Sequence, residues 1–402
     1  MKWTIYPVAY VLFTLAVDQN IHDKWYAALL VGVAILSAWV GRRLHWSVGL
    51  FTFYWLGVAL LYLVFPESVL SAGLKRGYSL QDALVFRKLI GVGVVTTILL
   101  TTPFLLLTGS TIERLSIGLG IVSPLLLLHV LYVWWLKPSG HFDAFGDRSS
   151  TLCMSMVLYP LWLELWTTRL DAWMSRHTPI YTRRFHLRLP GTALALFYPA
   201  AIFFVGESST AIVALFTVLA VLWWRSSYSS LRAALGLVAL LAITAWAGWG
   251  VLAPDLASGN GRFPIWEMGM KWWGLKASHW FGAGPYLWEA YGPSLQQVVK
   301  LTPRTLFVWM HSDWLQMLFE GGIVGVALLG VVVVCALRSA KRDTAVFAAL
   351  AAYAVADTAQ FFFHRPFSAA VGLFILVRAF TPETKVFSPE MRNSFEDAGI
   401  EC

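Results

Sequence analysis

From Gln316 to Leu337 the chain reads QMLFEGGIVGVALLGVVVVCAL, an apolar run whose one charged side chain is Glu320. A helix needs about 20 apolar residues to cross the hydrocarbon core of a bilayer, so this run predicts a membrane-spanning helix. The whole chain agrees, because 58% of its 402 residues are hydrophobic and only 13% are charged. Soluble domains carry about 25% charged residues. The sequence therefore predicts an integral membrane protein and excludes an ordinary soluble enzyme and a disordered chain.

Eleven further apolar runs extend this prediction to an all-α polytopic membrane protein with about twelve transmembrane helices. The predicted spans lie near Trp3–Val17, Trp25–Val40, Trp46–Phe65, Leu89–Leu107, Ser116–Leu136, Thr151–Thr168, Pro190–Val205, Thr210–Trp224, Ala233–Val251, Gln316–Leu337, Thr344–Ala356 and Phe361–Phe380. Residues 1–251 thus hold spans one to nine, and residues 316–380 hold spans ten to twelve. Residues 252–315 form one long loop, and the polar tail 381–402 is expected to be disordered.

Basic residues predict which side of the membrane each loop faces. With the N-terminus in the cytoplasm, the short inner loops hold thirteen Lys and Arg residues and the short outer loops hold seven. Cytoplasmic loops carry the excess of Lys and Arg, so both termini are predicted inside and the long loop outside. We attribute the net charge of +8 to this excess of Lys and Arg in the cytoplasmic loops, where some of them are expected to face anionic lipid head groups. No nucleic-acid-binding motif is visible, so no nucleic acid is expected as a partner.

The sequence lacks the motifs of several common active sites. It has no P-loop, no Asp-x-Asp pair and no His-Glu-x-x-His, and its three cysteines fit no metal or disulfide spacing. We therefore expect neither a metal nor a cofactor. The long loop carries a net excess of two positive charges, which suits an anionic ligand. Its candidate ionisable residues are Arg262, Lys271, Lys276, Lys300, Arg304 and His311.

Arg304 and His311 are candidate catalytic residues because of their types and their spacing. If a helix begins at Pro303, a favoured first helical position, residues seven apart lie on one helix face. A guanidinium can hold phosphate oxygens through a two-point contact, and a neutral imidazole can take a proton from a hydroxyl. The simpler interpretation is that both side chains anchor the start of a helix at the membrane interface.

The segment after His311 adds a more specific pattern. His311-Ser312 is followed, after nine residues, by Gly322-x-x-Gly325. Small residues in this helix, Gly321, Gly325 and Ala327, predict close packing against a neighbouring helix. The block His311-Ser-Asp-Trp-Leu-Gln-Met-Leu-Phe-Glu320-Gly-Gly resembles the signature of the O-antigen ligase and O-antigen polymerase superfamily.

A second block resembles the same superfamily. Arg262 stands four residues before Trp266, and Gly282-x-Gly284-Pro285 follows. The close resemblance covers about Arg262–Leu329. Members of the superfamily usually carry a Ser-Arg-Gly-like turn between two middle spans. The comparable stretch in this chain is residues 207–210, Glu-Ser-Ser-Thr, which has no arginine.

The resemblance implies a metal-independent glycosyltransferase in the bacterial inner membrane. Such an enzyme moves a glycan from a polyprenyl-diphosphate carrier to an acceptor hydroxyl, for this chain a lipid A-core sugar, on the periplasmic face. In this interpretation His311 orients or deprotonates the acceptor, while Arg262, Arg304 and Arg365 contact the donor diphosphate. The residues with a structural role in the motifs would be Gly282, Gly284, Glu320, Gly322 and Gly325.

Two other interpretations stay open at the level of the sequence. Within the superfamily, the chain could be an O-antigen or exopolysaccharide polymerase or a protein O-oligosaccharyltransferase. From another class, a secondary transporter or a lipid-glycan flippase would also have about twelve spans. A transporter should show broken helices, related halves and a polar site at the membrane midplane. The candidate ionisable residues from Arg262 to His311 lie in one outer loop instead, which favours the enzyme.

Overall fold

The computed structural model describes residues 45–64, 109–136, 142–143, 146–177, 208–225, 262–276, 279–282, 288, 311–360 and 366–381. This part of the chain is almost entirely helical, which agrees with the predicted all-α class. The helices are α1 (Trp46–Val64), α2 (Gly109–Leu136), α3 (Arg148–His177), α4 (Ser209–Arg225), α5 (Arg262–Lys276), α6 (Asp313–Ser339), α7 (Thr344–Ala356) and α8 (Pro366–Phe380). A 3-10 turn at Ala340–Arg342 follows α6. Between α2 and α3, the two-residue strands β1 (Phe142–Asp143) and β2 (Gly146–Asp147) pair antiparallel, with Phe142 opposite Asp147.

Seven of the twelve predicted spans coincide with helices α1 to α4 and α6 to α8. Within the described residues, one helical segment, Asp313–Arg342, is long and apolar enough by length and composition to cross a membrane. The number of spans therefore stays a prediction. The five predicted spans that fall outside the described residues are those near Trp3–Val17, Trp25–Val40, Leu89–Leu107, Pro190–Val205 and Ala233–Val251.

The long predicted loop contains a helix of its own, α5. This helix buries Ile265 and Met268 and exposes Phe263, Glu267 and Lys271. The buried positions are three residues apart, and the exposed positions are four apart, so one face of α5 is buried and another is exposed. Helix α5 contacts α6. The loop is therefore ordered against the helical bundle at this point.

Helix α3 forms the centre of the bundle and contacts α2, α4 and α7. Every residue from Thr151 to Leu161 is buried. Two serines join α3 to α2, because the hydroxyls of Ser123 and Ser155 each donate to the carbonyl oxygen of the other residue, at 2.9 and 2.8 Å. Their polar groups are thereby satisfied inside an apolar core, as buried hydroxyls require.

Contacts at the two ends of the bundle fix the helix directions. Arg225, the last residue of α4, donates to the carbonyl oxygen of Lys341 at 2.9 Å, and its guanidinium lies 3.8 Å from the ring centroid of Phe347 in α7. Helix α4 therefore ends where α7 begins. At the other end, the backbone N–H of Asp313 donates to the carbonyl oxygens of Asp357 and Gln360, at 3.2 and 3.0 Å. Helix α6 therefore begins where α7 ends.

We name these two ends the His311 end and the Arg225 end. The hydroxyl of Ser150 donates to Oε1 of Gln360 at 3.2 Å, so α3 also begins at the His311 end. Near the last turn of α8, Arg378 lies 3.0 Å from Asp343, so α8 finishes at the Arg225 end. If the predicted spans cross the membrane in alternating directions, α3, α4, α6 and α8 must run one way and α7 the other. The structure has these directions.

Helix α6 packs closely on α1 through its glycines. A Cβ atom at Gly321 would lie 3.0 Å from the Trp55 ring, and one at Gly325 would lie 3.4 Å from the Tyr54 ring. The Tyr54 hydroxyl donates to the Gly321 carbonyl oxygen. The prediction that small residues allow close helix packing is confirmed for Gly321 and Gly325. It is wrong for Ala327, which is exposed.

Substitution of Gly325 by Leu should destabilise the protein, because the longer side chain would overlap the Tyr54 ring and Met317. Overpacking of this kind costs about 1–3 kcal/mol. Gly330→Leu is the matched control, since a Cβ atom at Gly330 meets nothing within 4 Å. We expect a lower melting temperature in detergent for Gly325→Leu and a nearly unchanged one for Gly330→Leu. Equal melting temperatures for the two variants would contradict the α1–α6 contact.

Candidate functional site

Helix α6 is broken at Gly322, and a turn from the long loop fills the break. Gly322 has φ 65° and ψ −168°, a conformation that L side chains rarely adopt. A break in a helix leaves the next N–H groups without partners in the preceding turn. In α6 the N–H groups of Ile323 and Val324 donate to the carbonyl oxygens of His279 and Trp280, at 3.0 and 3.2 Å. Residues 279–282 therefore complete the hydrogen bonding of the second half of α6.

The two glycine motifs meet at this break. Gly282 also has a positive φ, 75°. A Cβ atom at Gly282 would lie under 3.0 Å from the carbonyl group of Glu320, and one at Gly322 would lie equally close to the carbonyl of Trp280. The backbones are thus in direct contact, and neither position has room for a side chain. Gly284 lies outside the described residues.

Trp288 attaches the long loop to α6 at a second point. Its ring is fully buried and packs edge-on against Phe319, with the centroids 5.4 Å apart and the planes at 87°. Edge-to-face contacts of this kind favour one ring orientation. Together with the glycine junction, this contact holds part of the loop against the first half of α6, between His311 and Gly322.

His311 lies directly before α6 in a left-handed backbone conformation, with φ 52°. Ser312 is extended and caps the helix, because its hydroxyl accepts from the Leu315 N–H at 3.3 Å. A left-handed conformation is uncommon for a residue other than glycine, and such residues cluster at functional sites. His311 is half-buried.

The backbone at His311 corrects one inference from the sequence. The shared helix face of Arg304 and His311 depended on a helix running from Pro303 through His311. His311 is not helical and Ser312 is extended, so a continuous helix does not pass through them. Spacing therefore gives no support for a pairing of these two side chains. Arg304 and Arg365 lie outside the described residues.

Three polar side chains are buried in the first turns of α6, and only Glu320 among them was named from the sequence, as a structural residue of the motif. Asp313, Gln316 and Glu320 are all buried, and they are spaced three and four residues apart on one face of α6. Gln316 donates from Nε2 to Oε1 of Glu320 at 3.0 Å. Asp357 and Gln360 are buried beside the start of the same helix. The sequence does contain a signal for this buried polar face, namely the helical spacing of the polar residues at the start of an apolar span.

Arg262 belongs to the same end of the bundle as His311. It is the first residue of α5, and its Nη1 lies 3.5 Å from the hydroxyl oxygen of Thr210. Thr210 is in the first turn of α4, where the Ser208 hydroxyl accepts from the Ala211 N–H at 3.2 Å. Helix α4 begins at the His311 end, because its last residue lies at the opposite end. A guanidinium beside a helix N-terminus gives a region of positive potential.

Lys271, the next cation along α5, is in a different situation. Its ammonium lies 2.6 Å from the Glu267 carboxylate one helical turn earlier. This hydrogen bond, together with the lysine charge, lowers the pKa of Glu267 below its usual value. The charge of Lys271 is therefore compensated locally, and Lys271 is a weaker candidate for an anionic ligand than Arg262. Lys300 lies outside the described residues, as does the side chain of Lys276.

Among the described residues, no group of three His, Cys, Asp or Glu side chains is placed to hold a metal ion. No protein family matches this chain, and no curated protein matches it significantly. The function proposed for the candidate site therefore rests on the residues of the site itself. The structure brings together the two motifs at Gly282 and Gly322, and places Arg262 and His311 at one end of the bundle.

Replacement of Gly322 by Ala should disrupt the junction, because the new Cβ would overlap the Trp280 carbonyl and would strain the backbone. We expect a large loss of folded protein, and the same for Gly282→Ala. Gly330→Ala lies in the same helix with open space around it, and Ala favours helix over Gly by about 1 kcal/mol. Thermal unfolding in detergent should rank Gly330→Ala at or above the wild type. Wild-type stability of Gly322→Ala would refute the backbone contact.

Proposed function

We propose that this protein is a membrane glycosyltransferase of the O-antigen ligase type. It transfers a glycan from polyprenyl diphosphate to an acceptor hydroxyl, a lipid A-core sugar, on the outer face of the bacterial inner membrane. The main support is the junction between Gly282 and Gly322, which joins the two sequence blocks that resemble this enzyme class. The same arrangement keeps Arg262 and His311 at one end of the bundle.

The membrane location rests on the character of the helix surfaces. The segment Asp313–Arg342, which contains α6 and its break at Gly322, is long and apolar enough by length and composition to cross the hydrocarbon core of a bilayer. Helix α2 exposes a run of large apolar side chains, which suits contact with lipid better than contact with water. These exposed residues are Ile121, Leu125, Leu128, Tyr132, Trp135 and Leu136.

Sidedness follows from the distribution of charge. The Arg225 end carries Arg225, Arg338, Lys341 and Arg342, as the cytoplasmic side of a membrane protein typically does. The His311 end then faces the periplasm, and both termini lie in the cytoplasm. The long loop with α5 is on the side where a lipid-linked glycan and its acceptor meet.

In the proposed reaction His311 acts on the acceptor. Its neutral imidazole accepts the proton of the acceptor hydroxyl as the oxygen bonds to the anomeric carbon of the donor glycan. The bond between that carbon and the phosphate oxygen breaks, and the diphosphate leaves with the bonding electrons. The reaction is a single displacement with inversion, and it needs no metal or cofactor.

Arginines hold the leaving group in this proposal. Arg262 contacts the diphosphate with its planar fork of N–H donors and stabilises the charge that develops on it. Arg304 and Arg365 are proposed to share this role. The α4 turn at Thr210 corresponds to the turn that usually carries an arginine in the resembling enzymes, and Arg262 reaches this turn from α5.

The function can be tested by deletion of the gene and separation of the surface glycans. We expect uncapped lipopolysaccharide together with retained lipid-linked glycan. Caps of a single repeating unit would assign a polymerase instead, and an unglycosylated cell-surface protein would assign a protein transferase. Lipid-linked glycan that is trapped on the cytoplasmic face would assign a flippase. Unchanged glycans of every kind would contradict the proposal.

Substitution of His311 by Ala should lower transfer by purified protein by about 10²–10⁴-fold, the usual loss when a positioned acid–base group is removed. Binding of the donor lipid should persist, because the arginines hold the diphosphate. His279→Ala is the matched control, since it removes a second histidine whose contact with α6 is made by its backbone carbonyl. The measurement is initial rate against donor concentration. Transfer by His311→Ala at the rate of His279→Ala would reduce His311 to a structural residue.

A further inference from the structure

The Arg225 end carries a cationic surface that the proposed transfer reaction does not use. It consists of Arg225 at the end of α4, Arg338 in the last turn of α6, and Lys341 and Arg342 in the 3-10 turn. We call these four residues the cationic patch. Arg338, Lys341 and Arg342 are exposed, and Arg225 is half-buried. The patch therefore presents its charge to whatever surrounds this end of the bundle.

Asp343, an acidic residue beside the patch, is already engaged with other groups. One carboxylate oxygen of Asp343 accepts from the Val346 N–H at 3.0 Å and caps α7. The other lies 3.0 Å from Arg378 of α8, and both side chains of this ion pair are largely buried. Among the described residues, the three cations Arg338, Lys341 and Arg342 therefore have no ion-pair partner.

Arg225 is held in place before any ligand arrives. Its Nη1 donates to the Lys341 carbonyl oxygen at 2.9 Å, and its guanidinium stacks on Phe347 at 3.8 Å from the ring centroid. A guanidinium has five N–H donors, so the same group can also hold a phosphate oxygen. A fixed planar fork loses little conformational entropy when it binds such an anion.

Two tryptophans, Trp223 and Trp224, directly precede Arg225 in the last turn of α4. Trp223 is 50% exposed and Trp224 is 65% exposed. Contact of such large rings with water is unfavourable, whereas tryptophan is enriched at the boundary between lipid tails and head groups. Fixed cations beside exposed tryptophans at the end of apolar helices match the chemistry of a phospholipid, in which a phosphodiester is joined to acyl chains.

We propose that the cationic patch binds the phosphodiester head group of an anionic phospholipid of the phosphatidylglycerol class, with the lipid's glycerol backbone beside Trp223 and Trp224. Soluble phosphate would satisfy the cations but would leave both rings exposed. The lipid is distinct from the proposed donor, because it binds at the end of the bundle away from His311. This binding does not depend on the transferase activity.

The test titrates the purified full chain in detergent with phosphatidylglycerol and counts the bound lipid by native mass spectrometry. Each Lys or Arg near an anionic membrane surface contributes about 1 kcal/mol, so each cation removed should weaken retention about fivefold. Lys341→Gln should show this loss, and the triple variant R338Q/K341Q/R342Q should show a larger one. Lys271→Gln removes an exposed lysine at the other end of the bundle and should bind like the wild type.

Phosphatidylcholine serves as the comparison lipid, and inorganic phosphate serves as a competitor. Wild-type protein should retain phosphatidylglycerol in preference to phosphatidylcholine, and inorganic phosphate at the same concentration should not displace it. Retention by the triple variant equal to that of Lys271→Gln would overturn the proposal. Displacement by inorganic phosphate would overturn it as well, since the patch would then be an anion site without lipid specificity.

Discussion

The contact between the backbones of Gly282 and Gly322 is the constraint on which the candidate site depends. It requires a positive φ at both residues and leaves no room for a Cβ atom at either. Once the contact forms, the carbonyl groups of the 279–282 turn satisfy the N–H groups exposed by the break in α6. A break in the middle of an apolar helix would otherwise leave buried polar groups unsatisfied, which is costly in an apolar environment. The break and the turn therefore support each other.

The first half of α6 combines three roles on different faces. Gly321 faces α1, and Phe319 meets the buried Trp288 of the long loop. The face with Asp313 and Gln316 is buried, and the Asp313 N–H joins the helix to the end of α7. His311 precedes this segment and takes its position from it. The position of the residue proposed as the base therefore depends on this segment.

The two ends of the bundle differ in chemistry, and this difference links the two proposals. The His311 end has buried polar side chains and Arg262, the arginine at the start of α5. The Arg225 end has the cationic patch and exposed tryptophans. Anionic phospholipid at the Arg225 end would fix the depth of the bundle in the bilayer. It would thereby set the height of His311 relative to the opposite surface.

The sequence predicted the helices well, because apolar runs reflect a property of each segment by itself. Seven predicted spans coincide with helices, and the packing role of Gly321 and Gly325 is confirmed. The shared helix face of Arg304 and His311, which was conditional on a helix that begins at Pro303, is not supported, since His311 is left-handed and Ser312 is the N-cap of α6. Residue spacing alone does not reveal such a cap. The Gly282–Gly322 contact joins residues forty positions apart, and a single sequence carries no signal for such a pairing. The resemblance indicated a structural role for both glycines, but only the structure shows that their backbones are in contact.

The location of the two ends on opposite faces of the membrane is the central claim, and cysteine labelling tests it most directly. Cys153, Cys335 and Cys402 would be replaced, and a single cysteine would be placed at Lys271 or at Ser339, both exposed positions. With a membrane-impermeant maleimide, the cysteine at position 271 should react in intact cells. The cysteine at position 339 should react only after the membrane is permeabilised. Reaction of both from the same side, or the reverse pattern, would contradict a periplasmic site at His311.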